Sequence, residues 1–494
     1  MNIRIAFVTV AMALLVPGTS RAANLQSQDI LFFSTHKYPT QIVGDSKNAF
    51  ILTEGGVLMY DYRRQAWVDN LVAGSPIQTI RFSQSRSRLY VLLQGGRTLE
   101  YNTAFRRFTD ASLEDFQAAG ESGSGADLTG LTLEGENFFL GDALRDKYMR
   151  RAPIVQGRVF DYDNLWILTA GLGPFHGSVR RKNASSLWFG LDYPATSVIY
   201  SESNSLWFGS CRSDYPGSVL ASGIASQSNG SLVKAKSDLT GWKAYPAQLE
   251  YGFGEGCIRD VKAWRDYIWL ATDKGLVRHD PRSGAFRTYR HMMGSTDVRV
   301  NTLHVHEGML YLGTERGVSF LEDINKDDLR TLGELPIPGG VQVFEMASKD
   351  KDLWAATRYG LHLFQGGVWK SLNQVSNKDV PEASNVLNHS IAYHDTSMYW
   401  TYENKVMVKP RKKEQKVLLE RDRPFKLRFE GDILYIAFSS GVTAYDTRKR
   451  LWADFRLTDG IPGTKVTSMA VASGLLWIGT DAGVERIKLR PYLP

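Results

Sequence analysis

The chain has 494 residues, 43% hydrophobic and 12% aromatic, which is ample for a large core. Its formal net charge is +7, from 59 basic and 52 acidic residues that are interspersed along the sequence. A nucleic-acid role would need a basic stripe in a cytosolic protein, and neither is expected here; the 45 Gly and abundant Trp, Tyr and Phe fit turn-rich, aromatic-rich strands instead.

In chain order, residues 1–22 read as a signal peptide. Arg4 supplies the charged start, Ile5 to Val16 the apolar run, and Pro17-Gly18 a break. Ser20 and Ala22 are the small residues expected before a cut ahead of Ala23. Loss of Arg4 and Arg21 would lower the charge from +7 to +5. No later run of about 20 apolar residues follows, so no transmembrane helix is expected. The expected location is periplasmic or secreted.

The stretch Asp29-ILFFST-His36 is a single strand-like run without a partner of its own. A strand opening on an aromatic then recurs: AFILT (49–53), LYVLL (89–93), NFFLG (137–141), LWILT (165–169), LWFGS (206–210), IWLAT (268–272), LYLGT (310–314), LWAAT (353–357), MYWTY (398–402), LYIAF (434–438) and LWIGT (476–480). Most steps are near 42 residues, the step from 137 being short and that from 206 long. This gives ten to eleven units, with NFFLG the doubtful one. Thr109 to Ala126, acidic and then Gly/Ser-rich, is an excursion with one helical turn. Ala221 to Asp238 reads as a mobile loop, and Lys409 to Lys416 as a solvated turn between strands.

The last unit shows why these are strands. Val466, Ser468, Ala470 and Ala472 alternate with Thr467, Met469 and Val471. Ser473-Gly474 is a turn, Leu475 to Thr480 a doubly buried strand, and Asp481-Ala482-Gly483 a second turn. GLVRHDPRSGAFRTY (275–289) and GVTAYDTRKRLWADF (441–455) supply third and fourth strands. Four short antiparallel strands in about 40 residues make the blade of an all-β propeller. The expected domain is 23–494, with divergent blades at 23–260 and regular ones at 261–494. Ile30 to Thr35 is expected beside Val484 to Leu489, completing the last blade and leaving no raw edge. A single large ring is expected; two rings, one inserted into the other's connectivity, would also satisfy that seam.

LTDGIPGTKVTSMAVASGLLWIGTDAGVERI resembles the two-component regulator propeller repeat, as do IWLATDKGLVRHDPRSGAFRTY, LYLGTERGVSFLE and LWAATRYGLHLF. Before about residue 260 the match is confined to the aromatic strand. The resemblance implies a periplasmic sensor region, usually joined to a membrane helix and a kinase. Neither is evident in these residues, so the expectation becomes a free-standing binding module.

In propellers the turns joining second to third strands share a face with the loops joining blades. That face is expected to carry Glu54, Arg212, Asp214, Asp273, Lys274, Glu315, Arg316, Arg358, Tyr359 and Asp481, a mixed-charge rim able to hold a polar ligand or protein. Cys211 and Cys257, the only cysteines, are expected to form a disulfide in an exported protein. His304 and His306, two apart on a strand, share a side; with His291 nearby they are weak metal candidates, more simply channel histidines. No hydrolase elbow, zinc-protease helix or P-loop is found, and no cofactor is expected. The leading reading is a non-enzymatic exported propeller binding an unknown protein or polar ligand, envelope or glycan in character. The alternatives are a lyase or hydrolase of glycans or small molecules at the channel mouth, and a structural subunit of an envelope complex.

Overall fold

The computed structural model describes residues 21–22 and 29–490, except 72–74, 104, 106, 121, 136, 141–142, 146–150, 194–195, 203, 212–229, 247–256, 290–298, 323–332, 338, 372–388 and 412. The expected signal peptide therefore lies outside the described residues, apart from Arg21–Ala22, which pairs in parallel with Trp452–Arg456.

The described strands form ten sheets, nearly all of four antiparallel strands, as a β-propeller requires. In each, the aromatic-headed segment is the second strand. Its aromatic fills the space between sheets: Trp166, Trp207, Trp269 and Trp477 are all fully buried. NFFLG is the exception. Phe138–Leu140 is an edge strand, hairpinned to Ala143–Arg145 and added to the sheet of Asn164–Thr169, so it heads no blade. The repeat count is ten.

These ten sheets do not make one ring. The first strands Thr196–Glu202, Ile258–Trp264, Val300–His306, Val343–Lys349, Ile391–His394, Pro424–Glu430 and Val466–Ala472 pack each against the next, and the last packs against the first. Thr467 and Ser468 close the circle by donating to Thr196 O at 2.6 and 2.9 Å. We number these seven sheets ring blades 1 to 7. The other three sheets, from Gln41 to Ser186, form a separate unit. Its first strands pack in the order Arg151–Phe160, Gln41–Gly44, Ile77–Ser83. The expected single large ring is thus corrected to seven blades plus a three-sheet insert. The reason lies in contacts between the insert's strands: Gln41 and Gln156 spend their amides on Ile80 and Ile42, so the insert's first strands bond among themselves. The break in packing falls near residues 190–196.

The seam forms as the sequence implies. Ile30–Phe33 pairs antiparallel with Val484–Ile487, Ile30 opposite Ile487 and Phe33 opposite Val484. The ring is therefore closed by a strand preceding the whole insert. Insert entry and exit run side by side: Leu191 N donates to Ser34 O at 3.0 Å, and Lys37 pairs with Asp192 at 3.0 Å. A core of Phe33, Tyr60, Trp166, Phe189, Phe208 and Trp477 joins insert, seam, first blade and last blade.

Two loop readings also meet the structure. The excursion at Thr109 to Ala126 contains helix α1 (Leu113–Ala118), capped by the Ser112 side chain on Asp115 N. The loop read at Ala221 to Asp238 is corrected in part: Gly230–Lys236 is the third strand of ring blade 1, paired with Ser205–Cys211, and residues 221–229 lie outside the described set. Its small polar composition hid Leu232, Val233 and Ala235, which are buried. Among the described residues no helix is long and apolar enough to cross a membrane.

Candidate functional site

The repeat motif presents side chains on one face, and its chemistry explains how. The Thr that closes the second strand turns its hydroxyl back into the following turn. Thr272, Thr314 and Thr357 each donate to the carbonyl of a Gly three residues on, at 2.8, 3.1 and 2.8 Å. Each hydroxyl also accepts a backbone N–H two residues on, from Lys274, Arg316 and Tyr359, at 3.2, 3.1 and 3.1 Å. The turns close on Gly275, Gly317 and Gly360, with φ of +123°, +133° and +116°, a region disfavoured for side chains. The backbones of Lys274, Arg316 and Tyr359 are thereby pinned while their side chains stay exposed. These turns lie at the end where the first strands begin, the upper end.

A ladder of charges runs along this rim. Arg259 pairs with Asp273, which also faces Arg299 at 3.5 Å. Arg299 reaches Glu315 at 3.3 Å, and Glu315 accepts from Gln342 Nε2 at 2.9 Å. Ring blades 2, 3 and 4 are thus linked. Lys274, Arg316 and Arg358 stand exposed beside the ladder, with Tyr359 49% exposed. Among the described residues, Arg259, Lys274, Arg299, Arg316 and Arg358 share this sector with Asp273 and Glu315.

The other expected site residues divide. Asp481 is 7% exposed and is occupied by its own loop: Thr464 N donates at 2.7 Å, Lys465 N at 3.3 Å, and the Thr464 hydroxyl also donates. Burial opposes its ionisation, but these donors lower its pKa. Glu54 belongs to the insert, away from blades 2 to 4. Arg212, Asp214 and His291 lie outside the described residues, as does the Cys211 side chain. Cys257 is buried at the start of ring blade 2.

The channel holds residues that sequence reasoning missed. In six ring blades a bulge follows the first residue of the first strand and sets its third residue opposite the Gly or Ala of the motif. The pairs are Val198 with Gly209, Asp260 with Ala271, Thr302 with Gly313, Glu345 with Ala356, Lys426 with Ala437, and Ser468 with Gly479. The motif residue must be small because the channel residue lies over it: a Cβ on Gly313 would come 2.6 Å from Thr302 Cγ2. In five of these six blades the residue two places after the first strand begins is polar, Val198 being the exception, and that position was the available signal.

These channel residues tie the blades together. Asp260 accepts from Thr302 Oγ1 at 3.0 Å and Leu303 N at 2.9 Å. Glu345 accepts from the Ser390 hydroxyl and pairs with Lys426 at 2.9 Å and Arg428 at 2.7 Å. Burial would raise the Glu345 pKa, but Arg428, Lys426 and Ser390 outweigh it and hold it at about 2. His304 bonds Ser348 Oγ at 2.8 Å, and burial with Lys262 nearby lowers its pKa to about 4. The rings of His304 and His306 are 6.5 Å apart. A cavity of about 280 Å³ lies between Asp260, Lys262, His304, Glu345, Tyr393 and Arg428. At the lower end, His394, Asp395 and Asp432 bring ligand atoms within 4.8 Å, but Arg448 occupies an Asp432 oxygen at 2.8 Å.

No family model matches the chain, and no curated relative matches it. Among solved structures it is similar to PorZ, a surface component of the type-IX secretion system of Porphyromonas gingivalis. That likeness has 13% identity and a TM-score of 0.48, over 92% of this chain and 74% of that one. It is also similar to the extracellular domain of the hybrid two-component system BT4673 from B. thetaiotaomicron, at 12% identity and TM-score 0.45, over 92% and 65% of the two chains. The WD40 β-propeller domain of Doa1 gives 10% identity and TM-score 0.43, over 60% and 92%. At these identities the likeness is one of fold. The chain is a β-propeller closed by its N-terminal strand.

Proposed function

We propose that this chain is an exported, non-enzymatic β-propeller that binds an acidic ligand or partner protein across the upper face of ring blades 2 to 4. The observation that carries this reading is the set of pinned turns. Lys274, Arg316, Arg358 and Tyr359 stand exposed on a rigid backbone, in a sector whose described residues include more cations than anions. Cations on a pinned backbone with an aromatic beside them suit an anionic partner, since little backbone entropy remains to be lost on binding. The converging acids of the channel, Asp260 and Glu345, are already spent on hydrogen bonds between blades, which disfavours acid–base catalysis there.

Export carries with it the disulfide. Cys211 ends the second strand of ring blade 1, and Cys257 precedes the first strand of ring blade 2, both at the upper end. A bond between them would brace the loop joining those blades.

The test is binding of the mature chain to heparin and to polyglutamate over a range of salt. The triple variant Lys274→Glu, Arg316→Glu, Arg358→Glu should elute at clearly lower salt, with a smaller salt dependence. Elution unchanged from wild type sinks the loop-face reading.

A further inference from the structure

We propose that the central channel of the seven-bladed ring is a binding site for a small organic monocarboxylate, held by Lys262 and Arg428. The inference stands apart from the loop-face reading, because it uses different residues, deeper in the ring.

The hydrogen-bond inventory of the channel leaves these donors over. Asp260 is satisfied by Thr302 Oγ1, Leu303 N and Val261 N. Glu345 is satisfied by Ser390, Ile391 N, Lys426 and Arg428. Lys426 is paired through Glu345. Lys262 differs: among the described residues its ammonium has no hydrogen bond and no ion pair, and only lies 5.4 Å from the centre of the Tyr200 ring. Arg428 uses Nη1 on Glu345 and on Leu427 O, both at 2.7 Å, which leaves Nη2 and Nε as donors. Three cations, Lys262, Lys426 and Arg428, thus face two carboxylates, Asp260 and Glu345.

An ammonium without a bonded partner on a half-buried channel wall is a mark of a functional site. Burial, with Arg428 and Lys426 adding repulsion, lowers the pKa of Lys262 against the pull of Asp260 and Glu345. One bound anion would complete the charge balance. A planar carboxylate matches the open edge of a guanidinium better than a spherical ion does.

The walls set the rest of the ligand. Ala392 and the half-buried Phe429 line the same cavity, while Leu303, Met346 and Leu427 are buried in the cores between blades, so the body of the ligand meets a small apolar patch among polar groups. At about 280 Å³ the space lies at the small end for ligand sites, whose usual range is roughly 300–1,000 Å³. The class that fits is a short aliphatic or aromatic acid, with Ser348 and Tyr393 lining the cavity beside it.

The experiment titrates the mature chain calorimetrically with benzoate, with benzyl alcohol and inorganic phosphate as comparison probes. Saturable benzoate binding, weaker binding of both other probes, and a rise in Tm with benzoate are expected. Lys262→Met should weaken benzoate by about tenfold or more while leaving Tm equal or higher, since it removes an unpaired charge. Lys274→Glu on the rim should leave benzoate binding unchanged, which separates this site from the loop face. Absence of saturable heat at millimolar benzoate overturns the proposal, as does phosphate binding equally well or wild-type affinity in Lys262→Met. Should Lys262→Met not fold, reductive methylation of wild type decides. Protection of Lys262 by benzoate supports the site, and equal methylation with and without it refutes it.

Discussion

Phe33→Ala tests whether the N-terminal strand closes the ring. Phe33 is fully buried, and its ring meets three others edge-on: Phe208 at 5.4 Å, Trp242 at 5.2 Å and Trp477 at 6.2 Å. Phe208 and Trp242 belong to the first ring blade and Trp477 to the last, so one side chain bridges both sides of the seam. Truncating a buried Phe to Ala costs about 3–5 kcal/mol, through lost burial and the cavity left behind. The rigid aromatic neighbours limit collapse, which places the expected cost in the upper half of that range. The assay is urea unfolding with amide exchange at Val484–Lys488, the strand that pairs with Ile30–Phe33. Phe50→Ala is the comparison: Phe50 is equally buried but sits in the insert, packed with Phe82 at 5.7 Å. Phe33→Ala should loosen Val484–Lys488 strongly, and Phe50→Ala should loosen the insert first. A cost below about 1 kcal/mol, or unchanged protection at Val484–Lys488, would refute closure by this strand.

Further outcomes concern charge and packing. Glu485, on the same seam, is 2% exposed with an unpartnered Oε2, and burial raises its pKa from 4.5 to about 8. Its folded pKa is raised, so its contribution to stability is full below pH 4.5 and is lost as pH rises through about 8. Glu485→Gln should flatten that decline and stabilise the protein at pH 9 by several kcal/mol, on the order of 1.4 per pKa unit; parallel pH–stability curves for variant and wild type would count against it. Glu345 has the opposite sign: its pKa is held at about 2, so its contribution is present above the ordinary 4.5 and lost as pH falls through 2. Glu345→Gln should cost about 3 kcal/mol at pH 7 by leaving Lys426 and Arg428 facing each other, measured by chemical unfolding. Gly313→Val should cost about 1–3 kcal/mol by driving methyls into Thr302 and Val343, read as a lowered Tm. Under the proposed disulfide, unfolded and unreduced protein should show no thiol by titration, and reduction should cost roughly 3–4 kcal/mol; two titrating thiols would exclude the bond.

The upper-face turns were legible because their chemistry is local. Lys274, Arg316, Arg358 and Tyr359 follow a Thr that caps its own turn within three residues, so sequence spacing alone fixes where they sit. Asp481 has the same spacing, yet its carboxylate is turned onto Thr464 and Lys465, a contact with the preceding loop that no turn motif encodes. Channel residues were harder to find because their partners lie in other blades. Asp260 lies among other charges in IRDVKAW and Glu345 in the otherwise apolar start of VFEMASK, and only the bulge and the neighbouring blades give them partners.

By itself the sequence determined the strands, the blade and the seam. Alternation, Gly turns and a buried aromatic in every second strand are short-range requirements, and Ile30–Phe33 with two apolar faces had to find a sheet edge. The number of rings was decided only in the tertiary structure. A blade's hydrogen bonds are internal, and its choice of neighbour rests on side chains between first strands: Gln41 and Gln156 within the insert, Thr467 and Ser468 on Thr196 in the ring. Those contacts span up to 272 residues. Repeat period carries no information about them, because the same blade can close a ring of seven or stand in a row of three.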